Sequence, residues 1–587
     1  MHITPCLVFV FFPIFAEILY NIMRNLNLKL LFALCALLFF SAFTTGKKDV
    51  ITIFMIGDST MANKSLKNGN LERGWGQMLP GFLTDDIRVD NHAMNGRSSL
   101  SFINEGRWDT VLSKLKSGDY VFIQFGHNDE KPAEKLHTVP GSTFDENLRR
   151  FVRETREKGA HPVLFNSIVR RNFPPEGATE NKGSYEVEGN TLVDTHGEYL
   201  ESPRRVAKEM NAPFVDLNKL THDLVVGMGV EKSKSLFMWV PAGKYDFCPQ
   251  GKIDNTHLNI YGGKVVAGIA MEAVAKVVPE LAPYVRHHDP EIYVADYKDD
   301  KQCAISYTFD DGLEEHYTLV FPEMEKVGFK GTFWIWGKGI ENEAAQQSKP
   351  RMTWAQMKEM SDKGHEISSH SWSHTNLKRL SLEEVKTEVE KNDSIILARI
   401  GKRSLTFCYP FNAYNEDILQ ISSKGRVGTR TKQYGIGGDK SKSTVESLDK
   451  WVKELTIAGE WGVAMIHGIA TGYDAFSSPE ILWEHFKRVK ALENNIWIDT
   501  YCKVAAYVKE RKNIQLDITK KKSSFKITPR LALDDKLFSE PLTMVVSKNG
   551  KSEIKVSQGK QVLAVKDAGD KFTFSFDPHG GAIKVSF

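Results

Sequence analysis

Cysteine is scarce in this chain, and the spacing of the few present gives no support for two kinds of site. Six cysteines occur in 587 residues, and two of them, Cys6 and Cys35, fall within the first 46 residues. The remaining four are far apart and form no CxxC pair: Cys248, Cys303, Cys408 and Cys502. The sequence therefore indicates neither a zinc knuckle nor a disulfide framework, and each thiol is expected to be a buried structural residue.

An excess of charge of one sign is also missing. The chain carries 77 Lys and Arg residues against 74 Asp and Glu residues, a net charge of +3, and no long basic block. Nucleic-acid binding needs clustered basic residues, so the sequence predicts no nucleic-acid partner. The length is too great for one hydrophobic core and predicts about three or four domains.

Long apolar runs are confined to residues 1–46. Met23 is followed by a short basic stretch, and Leu30 to Phe40 is an apolar segment of the length found in secretion signals. We interpret residues 1–46 as a signal-peptide region, with translation starting at Met23, and predict a secreted or periplasmic protein. A membrane anchor is the alternative, but this segment is shorter than the roughly 20 apolar residues needed to span a bilayer. No stable membrane anchor is therefore expected.

The rest of the chain divides into two α/β segments and a β-rich tail. Residues 47–285 alternate apolar strands with amphipathic helices, which predicts a parallel sheet with helices on both faces. Residues 286–298 are polar and are interpreted as a linker. Residues 299–510 form a second alternating segment, and residues 511–587 carry short alternating runs separated by turns, as in a small all-β accessory module. The predicted strands of the first segment are Ile51–Ile56, Tyr120–Phe125, Pro162–Ser167 and Pro213–Asp216. Its predicted helices are Phe144–Lys158 and Val265–Val277, and the second segment starts at the strand Cys303–Phe309.

A serine, an aspartate and a histidine in the first segment have the order of a hydrolase triad. An apolar run ends on Gly57-Asp58-Ser59, and Asp254-Asn255-Thr256-His257 follows about 200 residues later, at what we expect to be the opening of a helix. Serine becomes a nucleophile when an imidazole takes its proton and a carboxylate orients that imidazole. The alternatives are an ordinary turn at Ser59 and a helix cap at Asp254.

Two further motifs would complete this site. Asn95-Gly96-Arg97-Ser98-Ser99 lies in a predicted loop, and Gly126-His127-Asn128-Asp129 follows a predicted strand. The oxyanion formed during ester hydrolysis needs hydrogen-bond donors, which the Ser59 amide, the Gly96 amide and the Asn128 side chain could supply. Asn128 taken alone could instead cap a helix.

With these motifs, residues 49–282 resemble the SGNH (GDSL) hydrolases, and among them the rhamnogalacturonan acetylesterases. Asp194-Thr195-His196-Gly197-Glu198-Tyr199 also fits that family. The resemblance implies a flavodoxin-like parallel sheet with Ser59 as nucleophile, His257 as base and Asp254 as its orienting carboxylate. It also implies an oxyanion hole formed by Ser59, Gly96 and Asn128, and it implies no metal or other cofactor in this domain.

A second set of candidate residues begins at Thr308-Phe309-Asp310-Asp311-Gly312, at the end of a predicted strand. His370 and His374 follow, and Met465-Ile466-His467 comes later. Histidines at i and i+4 can share one helical face and bind one ion, with a carboxylate as third ligand. The alternative for both histidines is a surface or capping role.

Residues 299–510 resemble the polysaccharide deacetylases of the NodB-homology type, carbohydrate esterase family 4. Gly331-Thr332-Phe333-Trp334 and the segment from Gly364 to His370 also fit. The resemblance implies a distorted (β/α) barrel with Asp311, His370 and His374 as metal ligands, Asp310 as base and His467 as acid. Two imidazoles and one carboxylate suit Zn²⁺, Co²⁺ or Ni²⁺ better than Ca²⁺ or Mg²⁺.

One position departs from the family pattern. Cys408 stands where the family commonly has an arginine that orients the catalytic carboxylate, and Arg430 is a candidate substitute. The sequence thus predicts a bifunctional carbohydrate esterase whose partner is an acetylated polysaccharide, pectic rhamnogalacturonan in particular. Two alternatives stay open: the second domain is a glycan-binding module, or the chain deacetylates a glycan of the cell envelope.

Overall fold

The computed structural model describes residues 50–178, 188–286, 289, 291–342, 347 and 349–587. The predicted signal-peptide region and its start at Met23 lie outside these residues. Among the residues described, every helix is too short or too polar to cross a bilayer. The four later cysteines are free thiols; Cys303 and Cys408 are buried, whereas Cys248 and Cys502 are half-buried, which corrects the expectation for those two.

The first segment builds a parallel sheet of five strands in the order β2-β1-β3-β4-β5. Alternate residues of the first strand, β1, face two separate apolar cores, Ile53 and Met55 on one side and Phe54 and Ile56 on the other. Helices therefore cover both faces, as the alternating pattern predicts. The strands are β1 (Ile51–Gly57), β2 (Ile87–Asn91), β3 (Tyr120–Gln124), β4 (His161–Phe165) and β5 (Phe214–Val215). The helices are α1 (Trp75–Met78), α2 (Ser99–Asn104), α3 (Arg107–Leu112), α4 (Thr143–Glu157), α5 (Glu201–Glu209), α6 (Leu217–Ser233) and α7 (Ile260–Val277).

An antiparallel hairpin precedes α7 and corrects one prediction. Strand β6 (Phe237–Val240) pairs with β7 (Lys252–Leu258), so the motif from Asp254 to His257 lies in a strand and does not open a helix. The helix begins after this strand, where the Asn259 side chain caps it by accepting from the Gly262 amide at 2.9 Å.

The second segment is a curled parallel sheet of eight strands. Its order is β13-β12-β11-β10-β9-β15-β14, with β16 also paired to β9, and no pairing joins β13 to β14 in the part of the sheet described. The strands are β9 (Cys303–Asp310), β10 (Thr332–Ile335), β11 (Glu366–Ser369), β12 (Thr406–Cys408), β13 (Gly428–Arg430), β14 (Tyr434–Gly435), β15 (Trp461–Ile466) and β16 (Ile496–Ile498). The helices are α8 (Phe321–Val327), α9 (Gly337–Glu341), α10 (Trp354–Asp362), α11 (Leu382–Ile400), α12 (Glu416–Ser423), α13 (Val445–Ala458), α14 (Glu480–Ala491) and α15 (Tyr501–Asn513).

The tail forms two antiparallel sheets, in the orders β17-β18-β24-β20-β21 and β22-β23-β19-β8. The strand β8 (Ile292–Val294) belongs to the segment predicted as a linker, and it pairs with β19 along Val546, Val545 and Met544. The linker prediction was therefore wrong for these residues, because Ile292 and Val294 are buried in the core of the tail. The other strands are β17 (Gln515–Lys521), β18 (Ser524–Arg530), β19 (Leu542–Ser547), β20 (Lys555–Gln558), β21 (Gln561–Leu563), β22 (Val565–Asp567), β23 (Lys571–Phe576) and β24 (Ile583–Ser586).

Candidate active sites

Ser59 lies on a tight turn directly after β1. The buried Asp58 carboxylate fixes this turn by accepting from the Thr60 amide at 2.9 Å and from the Thr60 hydroxyl at 2.8 Å. Burial by itself would raise the pKa of Asp58, but the nearby His127 ring and the Thr60 donors outweigh it and lower the pKa to about 2. Gly57, the last residue of β1, lies close against β3, where an added Cβ would meet the Gln124 carbonyl oxygen at 2.5 Å. The turn that carries Ser59 follows directly.

The structure brings Ser59, His257 and Asp254 together across 198 positions of sequence. The Ser59 hydroxyl lies 2.9 Å from His257 Nε2, and His257 Nδ1 lies 2.8 Å from Asp254 Oδ2. The other Asp254 oxygen accepts from the amides of Thr256 and His257, each at 2.9 Å. Although burial favours the neutral form, the hydrogen bonds and charge of His257 keep the pKa of Asp254 well below its usual range. The carboxylate is thus ionised and aimed at the imidazole.

Gly96 and Asn128 lie on neighbouring loops after β2 and β3. Gly96 has φ 74°, a left-handed conformation that favours glycine. The Asn128 amide group donates to the Arg97 carbonyl at 3.1 Å, and Lys131 Nζ donates to Asn128 Oδ1 at 2.8 Å. These contacts fix the Asn128 side chain, with its amide nitrogen towards the loop that carries Gly96 and Arg97.

The second set of residues gathers at the carboxyl ends of the parallel strands. Asp310 ends β9, His370 follows β11, Cys408 ends β12, and His467 follows β15. Ligand sites of parallel α/β folds lie at this edge of the sheet. His370 and His374 lie in a loop after β11 and not on a helix, so the helical placement was wrong. His374 has φ 57°, in the left-handed region, so the chain turns back at this residue and the two imidazole rings come close together.

Asp311, His370 and His374 form a group that could hold a metal ion. One ligand atom from each lies within 4.8 Å of the others. Asp311 Oδ1 is 3.1 Å from His374 Nε2 and 3.8 Å from His370 Nε2, and this buried oxygen has no hydrogen-bond partner among the described residues. The donor set and the orphaned oxygen fit a divalent cation.

The imidazole of His370 is prepared for such a role. Its Nδ1–H donates to the Cys408 carbonyl at 2.9 Å, which leaves the Nε2 lone pair facing Asp311. Burial lowers the pKa of His370 to about 4, so the ring stays neutral, as a ligand must be. Asp311 has φ 78°, a costly conformation of the kind that clusters at functional sites.

Asp310 is held by Arg430, the residue that sequence alone could not place. Arg430 ends β13 and donates to both Asp310 oxygens, from Nη1 at 2.7 Å and from Nη2 at 2.5 Å. Burial would raise the pKa of Asp310, but the charge and hydrogen bonds of Arg430, together with the nearby His467 and His370 rings, outweigh it and the net shift is downward. His467 Nε2 lies 3.8 Å from Asp310 Oδ2, so base and acid candidates face each other.

Comparison with known proteins identifies both segments. Residues 55–237 match the model of the GDSL-like lipase/acylhydrolase family. The rhamnogalacturonan acetylesterase RhgT of Bacillus subtilis is 36% identical over 230 residues, which is 39% of this chain and 92% of that protein. The chain belongs to the GDSL-like lipase/acylhydrolase family. Its residues 297–427 match the polysaccharide deacetylase family model, so this GDSL-like hydrolase also carries a deacetylase domain.

This GDSL-like protein is also similar to a deacetylase and to a solved esterase structure. Peptidoglycan-N-acetylglucosamine deacetylase PgdA of Listeria monocytogenes is 27% identical over 340 residues, which is 53% of this chain and 68% of that protein. The crystal structure of YxiM of Bacillus subtilis matches with TM-score 0.31 and 28% identity, over 38% of this chain and 56% of that chain. Both matched families consist of hydrolases, and the chain thus combines an esterase domain with a deacetylase domain.

Sequence reasoning missed several polar groups around the GDSL-like site. The sequence shows Asp58 only as part of the turn, whereas in the structure it is fully buried and anchors that turn. His127 belongs to the motif from Gly126 to Asp129, and its Nδ1 lies 3.3 Å from Asp58 Oδ2. The sequence does contain one indication of this. Asp58 directly follows a strand expected to be buried, and a buried carboxylate needs hydrogen-bond or charged partners.

Proposed function

We propose that the chain is a secreted or periplasmic bifunctional carbohydrate esterase that removes acetyl groups from polysaccharide. The hydrogen-bonded series from Ser59 through His257 to Asp254 carries the proposal for the first domain. The proposed divisions are an esterase domain at 47–285, a deacetylase domain at 299–510 and an accessory module at 511–587. Because RhgT is named for rhamnogalacturonan, we propose acetylated rhamnogalacturonan as the substrate of the first domain.

In the first domain, His257 takes the hydroxyl proton as Ser59 Oγ attacks the acetyl carbonyl carbon. Asp254 holds the Nδ1–H of the imidazole and stabilises the cation that forms. The Ser59 and Gly96 amides and the Asn128 side chain receive the developing oxyanion. His257 then returns the proton to the departing sugar oxygen, and water releases acetate from Ser59 by the reverse sequence of proton transfers.

Two substitutions in the full chain test this assignment. Ser59→Ala and His257→Ala should each remove at least about 10³-fold of kcat for 4-nitrophenyl acetate, because triad members act as a unit. Ser113→Ala, at an exposed helix end, is the matched control and should behave as wild type. A chelator should leave this activity unchanged. Wild-type turnover by folded Ser59→Ala protein would rule out the nucleophile.

In the second domain, Asp311, His370 and His374 would hold a divalent ion, with Zn²⁺, Co²⁺ or Ni²⁺ the best match to two imidazoles and a carboxylate. A bound ion would supply Lewis-acid activation of the acetyl carbonyl and of water. Asp310, oriented by Arg430, accepts the proton of the attacking water. His467 donates a proton to the departing sugar oxygen or nitrogen.

The second activity is best measured in full-length Ser59→Ala protein, where the first site is silent. We expect acetate release from acetylated oligosaccharides, its loss on chelation, and its loss in Asp310→Asn protein that still binds metal. Elemental analysis should find one divalent ion per chain, absent from His374→Ala. Equal metal content in both proteins would remove the ligand assignment. Metal binding without turnover of any acetylated glycan would favour the alternative of a glycan-binding module.

A further inference from the structure

The Asp254 carboxylate of the first site contacts a lysine as well as His257. Lys252 and Asp254 lie two residues apart on β7, so their side chains share one face of the strand. Lys252 Nζ is 3.0 Å from Asp254 Oδ2, the same oxygen that His257 Nδ1 contacts at 2.8 Å. One oxygen atom therefore serves both an ammonium group and the imidazole of the proposed triad.

This contact is the first of a series of alternating charges. Lys252 Nζ also lies 3.1 Å from Glu72 Oε2, and Glu72 Oε1 lies 2.8 Å from Lys64 Nζ. Lys64 is buried, with 4% of its side chain exposed, and donates to Asn95 Oδ1 at 2.5 Å. Asn95 directly precedes Gly96, so the series runs from the triad carboxylate to the proposed oxyanion loop.

The backbone keeps the two ends of this series in register. The main chain of Glu72 forms an antiparallel bridge with Asn259, directly after β7. The Arg73 amide donates to the Leu258 carbonyl at 2.9 Å. The loop that carries Glu72 is thus attached to the end of β7, the strand that carries Asp254. This attachment places the Glu72 carboxylate next to the Lys252 ammonium group.

Glu72 and Lys252 are each held in the charged form by their neighbours. Burial would raise the pKa of Glu72, but the charge and hydrogen bond of Lys64, together with nearby His257 and Lys252, outweigh it and lower the pKa. Burial would lower the pKa of Lys252, but Asp254 and Glu72 outweigh it and raise the pKa. A buried lysine such as Lys64 would be costly without its carboxylate and amide partners.

We propose that Lys252, Glu72 and Lys64 are positioning residues of the serine site, which set the charge felt by the His257–Asp254 pair and fix the oxyanion loop. The proposal rests on the proposed function of Ser59, His257 and Asp254. Lys252 shares the Asp254 carboxylate and so weakens its attraction for a protonated imidazole. Glu72 offsets Lys252, and Lys64 ties Glu72 to Asn95.

The charges around His257 predict opposite effects for two substitutions. The titratable groups around it are Asp254 and Lys252 from β7, Glu72 from the segment between β1 and β2, and His127 after β3, with Lys64 behind Glu72. His257 must be neutral to accept the Ser59 proton. Removal of a cation favours the imidazolium, whereas removal of a carboxylate disfavours it.

The test compares the acid side of the pH profile of kcat/KM for 4-nitrophenyl acetate in the full chain. Lys252→Met should move the half-maximal point to higher pH, and Glu72→Gln should move it to lower pH, each by about 0.5 to 1 pH unit. Lys252→Arg keeps the charge and should restore the wild-type profile. Lys219→Met, which removes an exposed lysine paired with Asp223 on α6, is the matched control and should not change the profile.

Substitutions at Lys64 and Asn95 form the second part of the test. Asn95→Ala should lower kcat roughly 10-fold with KM little changed, because the oxyanion loop loses its anchor. Lys64→Met should do the same and should also move the acid side to higher pH. If Lys252→Met and Glu72→Gln fold normally but shift the profile in the same direction or not at all, the proposal is overturned. Failure of the proposed function would appear separately, as activity retained by Ser59→Ala.

Discussion

Arg430 grips Asp310 through two parallel hydrogen bonds, at 2.7 and 2.5 Å, although 120 residues separate them in the chain. Arg430 Nη1 also donates to the Thr308 hydroxyl at 2.7 Å, so the guanidinium is fixed to β9, the strand that carries Asp310, although three strands separate β9 from β13 in the sheet order. The arginine that the family pattern places at Cys408 is therefore missing from the end of β12, and Arg430 at the end of the adjacent strand β13 takes its place. A fork geometry of this kind orients a carboxylate more firmly than a single ammonium contact.

Arg430→Lys should impair the deacetylase domain without emptying its metal site. Lysine keeps the positive charge but loses the fork, so the Asp310 carboxylate gains freedom. In the Ser59→Ala background we expect acetate release to fall roughly 10-fold or more, since a base that is poorly oriented loses much of its effect. Metal content, measured by elemental analysis, should match that of the parent.

The control is Arg488→Lys, which alters an exposed arginine paired with Asp449 at 2.6 Å. It should leave both acetate release and thermal unfolding unchanged. Unaltered acetate release by well-folded Arg430→Lys protein would mean that Asp310 needs no oriented partner. Arg430→Met is less informative, because an unpaired buried Asp310 would be expected to cost about 3 to 5 kcal/mol of stability.

Cys408→Arg should lower the second activity, contrary to what the family pattern alone suggests. The Cys408 side chain is fully buried among apolar groups that include Trp334 and Tyr501, and its sulfur is 3.8 Å from Asp310 Oδ2. A guanidinium there would overfill the core and place a second cation beside Arg430. The double variant Cys408→Arg, Arg430→Ala vacates space and should recover part of the loss. Acetate release above wild type in the single variant would show that the site has room for both arginines.

The sequence predicts those features that depend on short-range pattern. The starts of β1 and β9 are read from apolar, β-branched runs, which is how strands buried on both faces appear. The spacing of His370 and His374 is compatible with a helix, and only the left-handed residues of the actual loop reveal that a turn achieves the same convergence. Strand β8 is three residues long within a polar segment, so its pairing with β19 depends on tertiary contacts. The link from Arg430 to Asp310 likewise requires knowledge of strand order.

Glu510 should make the stability of the protein fall as pH rises. Its carboxyl group is buried at the end of α15, where one oxygen accepts from the Glu540 amide at 3.0 Å and the other has no hydrogen-bond partner among the described residues. Burial raises the pKa of Glu510 from 4.5 to about 8. The folded state therefore keeps a proton that the unfolded state loses. The resulting contribution of Glu510 to the free energy of unfolding is complete below about pH 4.5 and is lost as pH rises to about 8.

Glu510→Gln is the matched test, because glutamine keeps the shape and cannot ionise. Its advantage over wild type should be small near pH 4.5 and should grow by at most about 1.4 kcal/mol for each pH unit up to pH 8. Urea unfolding at several pH values measures this difference. Glu493→Gln, which alters a glutamate whose side chain is 43% exposed and paired with Lys490, serves as control. A pH-independent difference for Glu510→Gln would contradict the raised pKa.

The accessory module should unfold together with the deacetylase domain, because the two share one hydrophobic core. Trp497, Val504 and Tyr507 from the deacetylase side pack in the same buried cluster as Met544 and Phe574 from the tail. Met544→Ala removes a fully buried side chain from β19 and should cost about 2 to 5 kcal/mol. In the Ser59→Ala background, this variant should lower the temperature at which acetate release is lost irreversibly. Val562→Ala, whose side chain is 80% exposed on β21, should have no such effect. If Met544→Ala lowers only a separate unfolding transition and leaves thermal inactivation of acetate release unchanged, residues 511–587 fold independently of the deacetylase domain.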